Sequence, residues 1–280
     1  MDFDGARMRY LKAGTGPALI LLHGLLGYSF SWRYTMPALA PLRTIYAPDM
    51  LGAGFSDRPT IDHSMRATAQ RVLNFIERLE ISSFDLLGTS RGGAVAMCAA
   101  AQCVSSPKLK IEKLILVAPV NPYSAHGRWM APFFASPMGA AGFRWAVATL
   151  PSLFPFFHGR LYASREKIPP GSPEGYRAPL AKPGLVDHAL SIVQTWGADL
   201  QELERLLPKL SSIQTLLVWG TRDPAVYFSS MKALARYFPH AERVVFQEVG
   251  HLPYEECPDE FNRALISFLT REQRGIRNQV

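Results

Sequence analysis

Cysteine is scarce in this 280-residue chain: Cys98, Cys103 and Cys257 make an odd count with no close Cys-x-x-Cys pair. That pattern excludes a disulfide framework and a cysteine-based zinc site, so buried free thiols are expected. Dense basic runs are also missing, because the residues behind the formal charge of +7 are scattered. Nucleic acid is therefore not an expected partner, while anionic substrates and weak association with a membrane surface stay open. No Walker-type glycine loop occurs, so no nucleotide is implied. An unbroken long apolar run is lacking too. Trp129 to Phe157 carries one charge, Arg144, but Pro132, Pro137, Pro151 and Pro155 cut it into pieces too short to span a bilayer. Short apolar helices covering a pocket are expected there. Met1 to Lys12 mixes Asp2, Asp4, Arg7 and Arg9 with apolar residues and has no secretory-type apolar core, so a cytoplasmic location is expected.

What is present is an ordinary globular composition, 48% hydrophobic and 19% charged, long enough for one large domain or a core with an inserted subdomain. Six short apolar runs recur: Ala18 to Leu22, Thr44 to Ala47, Phe84 to Leu87, Leu114 to Val117, Thr215 to Trp219 and Arg243 to Val249. They read as buried parallel strands. Between the second and third, Ala69, Val72, Leu73, Ile76 and Leu79 fall on one face of a helix over His63 to Leu79. A second helix, from Gly92 to about Val104, is apolar nearly all round and so must be central. Pro258-Asp259-Glu260 opens a third, with Phe261, Leu265, Phe268 and Leu269 on one stripe. From about Asn121 to Leu210 the alternation stops, and an aromatic-rich stretch is followed by a helical one from Leu185.

The chemistry begins at Phe84-Asp85-Leu86-Leu87-Gly88-Thr89-Ser90-Arg91-Gly92-Gly93, where a strand meets a helix at a serine between two glycines. Gly-x-Ser-x-Gly alone is only a lead, but this context is the one a nucleophile elbow requires. It lifts Ser90 above the strand's carboxyl end and places a helix amino terminus beneath it for a developing oxyanion. A serine hydroxyl needs a general base, and the base needs a partner that fixes its tautomer. Of the seven histidines, His251 follows directly on an expected late strand, and Asp223 follows another late strand in the same way.

The order Ser90, Asp223, His251 resembles that of the α/β-hydrolase superfamily. The resemblance runs over nearly the whole chain, which looks like the capped branch that includes epoxide hydrolases, haloalkane dehalogenases, carbon–carbon bond hydrolases and esterases. It is carried further by His23-Gly24-Leu25-Leu26-Gly27, by Asp49-Met50-Leu51-Gly52-Ala53-Gly54-Phe55-Ser56-Asp57, and by the helical stretch after Val117. It implies an α/β-hydrolase fold: a mostly parallel central sheet flanked by helices, with core residues 1–120, a helical cap at 121–210, and a second core part at 211–280. It also implies an oxyanion hole from the backbone amides of Leu25 and Arg91, a bracing role for His23, and turn-stabilising roles for Asp49 and Asp57. His63, His126, His158, His188 and His240 are expected as surface or cap residues.

Two departures shape the functional reading. Epoxide hydrolases and dehalogenases of this architecture carry an aspartate at the elbow, whereas here it is Ser90, which suits attack on a carbonyl and an acyl-enzyme. Arg91 stands where relatives more often have an apolar residue. It either holds a substrate carboxylate or forms an internal ion pair with Asp49, Asp57 or a neighbour of Asp223. The expected activity is serine carboxylesterase-like hydrolysis of a small-molecule ester with a hydrophobic moiety, needing no metal or organic cofactor. Carbon–carbon bond hydrolysis and a ligand receptor with residual hydrolysis are the alternatives. Trp129, Met130, Phe133, Phe134, Phe143, Trp145, Phe154, Phe156, Phe157 and Tyr162 are expected to pack cap to core, with a few lining the pocket.

Overall fold

A computed structural model describes residues 1–3, 5–104, 106, 108–124, 126–149 and 153–271, without the side chains of 126–130, 148 and 153. Strands β1 (Asp2–Phe3) and β2 (Ala6–Arg7) pair as a small antiparallel hairpin. The main sheet contains β3 (Tyr10–Ala13), β4 (Ala18–Leu22), β5 (Thr44–Pro48), β6 (Ser83–Thr89), β7 (Lys110–Val117), β8 (Gln214–Gly220) and β9 (Glu242–Phe246). Their order is β3-β5-β4-β6-β7-β8-β9, with β3 antiparallel to β5 and the remaining pairs parallel.

Helix α1 (Thr35–Leu39) follows β4, α2 (Met65–Arg78) leads into β6, and α3 (Arg91–Cys103) joins β6 to β7. Between β7 and β8 run α4 (His126–Ala135), α5 (Pro137–Thr149), α6 (Leu153–Gly159), α7 (Ser172–Arg177) and α8 (Leu185–Leu206), with no strand among the described residues. Helices α9 (Ser229–Leu234), α10 (Pro253–Glu256) and α11 (Pro258–Thr270) follow β8 among the described residues.

The central strands are apolar on both faces because both are covered. Alternation sorts their side chains into two cores. Ile20, Leu22, Leu86, Leu114, Leu116, Leu217 and Trp219 pack with residues of α2, α3 and α8. Leu19, Leu21, Leu87, Ile115, Val117, Leu216 and Val218 pack with residues of α1 and α11. Helix α2 buries Ala69, Val72, Leu73 and Ile76 as its spacing predicts, and Ser64 starts it by accepting the Ala67 N–H. Helix α3 is buried along nearly its whole length, as its composition requires.

Two strand expectations need correction. The run from Arg243 to Val249 ends as a strand at Phe246 and is half-buried, because it is the edge strand beside β8. The further strand that the family resemblance places at Arg7 to Leu11 is split between β2 and β3. The Arg9 amide donates to Ser56 Oγ and its carbonyl accepts the Asp49 N–H, so its backbone serves the glycine-rich loop and not the sheet.

Candidate active site

Ser90 occupies the turn between β6 and α3 with φ 52° and ψ −124°, a left-handed backbone that favours glycine. Four hydrogen bonds hold it there. Its N–H donates to Val117 O (2.9 Å), and its carbonyl accepts from Gly93, Ala94 and Val120. The flanking glycines permit the close approach: a Cβ on Gly88 would lie 2.3 Å from Gly92 O, and one on Gly92 would lie 2.3 Å from His23 O. Gly24 also abuts the serine, since a Cβ on it would sit 3.1 Å from Ser90 Cβ. That brings the Leu25 turn, closed by the Gly27 N–H to Gly24 O bond, beside Ser90. Arg91 is the first residue of α3, where an amide has no acceptor within the helix.

His23 is buried behind this turn. Its Nε2 accepts the Met50 N–H (3.0 Å), so the proton sits on Nδ1, which donates to Gly24 O (2.8 Å). Burial lowers its pKa, and it braces the turn as a neutral ring. Asp49 accepts from the amides of Ser29 and Phe55 and pairs with Arg9, while Asp57 accepts from the Arg7 amide and faces Lys182. Both tie loops together.

Asp223 and His251 come from the ends of β8 and β9 and meet in a buried bond, His251 Nδ1 to Asp223 Oδ2 at 2.8 Å. Asp223 Oδ1 accepts the amides of Ala225 (2.8 Å) and Val226 (2.9 Å), which fixes the carboxylate plane. With Nδ1 donating, His251 Nε2 is left as the basic nitrogen. His251 stands five residues beyond β9, and the Arg222 N–H to Val249 O bond carries the connecting turn. Among the described residues Ser90 Oγ and His251 share no direct hydrogen bond, and catalytic hydrogen bonds of this kind often tighten only with substrate.

The expected ion pair of Arg91 with Asp49, Asp57 or a neighbour of Asp223 is not formed. Helix α3 packs on α2, so the guanidinium is buried there and Nη2 donates to His63 O (2.5 Å) and Thr68 Oγ1 (3.4 Å). Burial pulls its pKa down to about 10 against the opposing pull of Asp199. The other histidines divide. His63 belongs to the core side and is buried against His188 of α8, ring centroids 4.3 Å apart; His158 is buried too, and His240 is exposed. The His126 side chain lies outside the described residues.

The aromatic residues also depart from expectation. Tyr162 is buried, but Phe133, Trp145, Phe156 and Phe157 are exposed on α4, α5 and α6, and the side chains of Trp129 and Met130 lie outside the described ones. Composition signals aromatic content but not which face of a short helix is covered. A cavity of about 390 Å³ lies between α4 and α8, lined by Pro132, Trp196, Gly197, Gln201 and Glu204, away from Ser90.

Two neighbouring glutamates were not singled out by the sequence. Glu255 is buried, receives the fork of Arg33 (3.0 and 2.8 Å), and accepts from Tyr162 (2.7 Å), Ser172 (3.1 Å) and Tyr176. Glu256 accepts from the amides of Gly250 and Ala163. Their place directly after Leu252-Pro253-Tyr254, next to His251, is the one local hint of them.

The profile of the alpha/beta hydrolase fold matches residues 17–258. The chain is 26% identical to 2-hydroxymuconate semialdehyde hydrolase of Pseudomonas sp. strain CF600, over 95% of this chain and 91% of that protein. It is 25% identical to haloalkane dehalogenase 2 of Mycobacterium bovis, over 95% and 92%. Among solved structures, an alpha/beta hydrolase fold protein from Burkholderia ambifaria superposes with a TM-score of 0.82 at 24% identity, covering 95% of this chain and 96% of that one. With a profile match across most of its length and the parallel sheet, elbow and late Asp–His pair in place, this chain belongs to the α/β-hydrolase family.

Proposed function

We propose that the protein is a serine hydrolase that cleaves carboxylic esters with a hydrophobic moiety. Ser90 Oγ attacks the carbonyl carbon while His251 Nε2 takes its proton, and Asp223 steadies the imidazolium that results. The amides of Leu25 and Arg91 receive the oxyanion, each such donor being worth roughly 3 kcal/mol of transition-state stabilisation. Collapse of the tetrahedral intermediate expels the alcohol, which takes the proton from His251. Water, deprotonated by the same ring, then releases the acid. The observation that carries this reading is the residue at the elbow: a serine forms an acyl ester that water can hydrolyse at the carbonyl.

The helical segment 121–210 acts as the cap and its apolar residues set the acyl or alcohol preference. Weak membrane-surface association belongs to the same reading, supported by exposed Met138, Trp145, Phe156 and Phe157. Flotation with anionic vesicles tests that part. The test of the function is turnover of p-nitrophenyl esters from acetyl to long acyl chains by wild type and Ser90→Ala. Turnover by wild type only supports the reading, and absence of turnover removes simple ester hydrolysis.

A carbon–carbon bond hydrolase is the second reading, favoured by the similarity to the muconate semialdehyde enzyme. Arg91 does not strengthen it, because its guanidinium is spent on His63 O.

A further inference from the structure

The His251 ring is held by Asp223, but its backbone is held from elsewhere. The His251 N–H donates to Leu161 O at 2.7 Å, in the chain between α6 and α7. One residue earlier, the Gly250 N–H donates to Glu256 Oε1 at 2.8 Å, and the other oxygen of the same carboxylate accepts the Ala163 N–H at 3.2 Å. Glu256 has no exposed side-chain surface, and Lys167 reaches across to within 4.0 Å of it while bonding Glu248 O. The fit is tight: a Cβ on Gly250 would lie 2.6 Å from each of Ala163 N, Glu256 Oε1 and Leu161 O. The histidine loop is thus clasped between residues 161–163 and α10.

We infer that Glu256 is a positioning residue for His251, clasping the histidine loop to residues 161–163 so that the base is aimed only when this stretch is seated on the core. The inference rests on the proposed role of His251. A carboxylate accepting two amides at once, with both oxygens used, fixes the two chains relative to each other more firmly than a neutral side chain. Misplacing a reacting group by about 1 Å costs on the order of 100-fold in rate. Glu255, bonded to Tyr162, Ser172 and Tyr176 on one side and Arg33 on the other, keeps the same stretch seated.

The test is the rate at which a fluorophosphonate labels Ser90, measured from pH 6 to 9 for wild type, Glu256→Gln and Gly250→Ala, with a melting curve for each. Phosphonylation needs the activated serine but no particular ester. Glutamine presents one oxygen and an NH₂ where two amides now donate. Glu256→Gln is therefore expected to remain folded at assay temperature, label about 10- to 100-fold more slowly, and shift the acidic limb of the profile downward through loss of a nearby negative charge. Labelling within twofold of wild type with an unmoved limb overturns the inference while leaving Ser90 and His251 in their roles. If wild type itself is not labelled, the serine–histidine reading falls, and the inference with it. Should Glu256→Gln unfold, Gly250→Ala decides, since its methyl wedges the same clasp open: slowing of tenfold or more supports the inference, and an unchanged rate overturns it.

Discussion

Ser90 carries its hydroxyl on a backbone that a side chain pays to adopt, about 1–3 kcal/mol for a non-glycine residue there. Ser90→Ala keeps that strain and removes the hydroxyl, whereas Ser90→Gly removes both. Both variants should lose the proposed ester hydrolysis by at least about 1,000-fold. The glycine variant should melt above the alanine one, by roughly 2–4 °C for each kcal/mol relieved. Equal melting temperatures would remove strain from the account. His188 gives a pH prediction at the same scale. Burial, with His63 and Arg91 nearby, lowers its pKa to about 2, while unfolded histidine titrates near about 6.5. The unfolded chain therefore binds the proton first, so this contribution is intact above about pH 6.5 and lost progressively below it. Between pH 7.5 and 5.5 His188→Gln should lose about 1 kcal/mol less unfolding free energy than wild type in urea titrations. Parallel pH dependences would contradict the assignment.

Elements differ in how much of them local sequence encodes. Strands β4, β6 and β8 and helices α2, α3 and α11 read clearly because burial on one or both faces leaves a periodic apolar trace. Strand β9 and the β2–β3 region read poorly, since an edge position and a contact from the distant Ser56 decide their limits. The Arg33–Glu255 junction was invisible for the same reason: its partners lie 222 residues apart in the chain. It joins the turn after β4 to α10, and through Tyr162 and Tyr176 to the helical segment. Arg33→Met would leave a buried carboxylate without its cation, so we expect a loss of about 3 kcal/mol, measurable by calorimetry or urea unfolding. A change below about 0.5 kcal/mol would mean that the tyrosines and Ser172 hold the charge alone.

At the scale of the molecule, the sheet order decides which of the candidate residues meet. Strands β6, β8 and β9 deliver Ser90, Asp223 and His251 to one edge, and the parallel register puts all three at carboxyl ends. Residue types and chain order made that much legible beforehand. The side chain of Arg91 was not, because its environment comes from α2 and α8, whose packing no spacing rule specifies. The clasp by Glu256 was hidden likewise, being built from backbone amides at Gly250 and Ala163. The central claim is a covalent acyl-enzyme on Ser90. Its most direct measurement is peptide mass mapping of protein acid-quenched within milliseconds of mixing with excess p-nitrophenyl butyrate. A butyryl adduct is expected on the peptide containing Ser90 in wild type and none in Ser90→Ala. Ester turnover without that adduct, or turnover retained by Ser90→Ala, would contradict it.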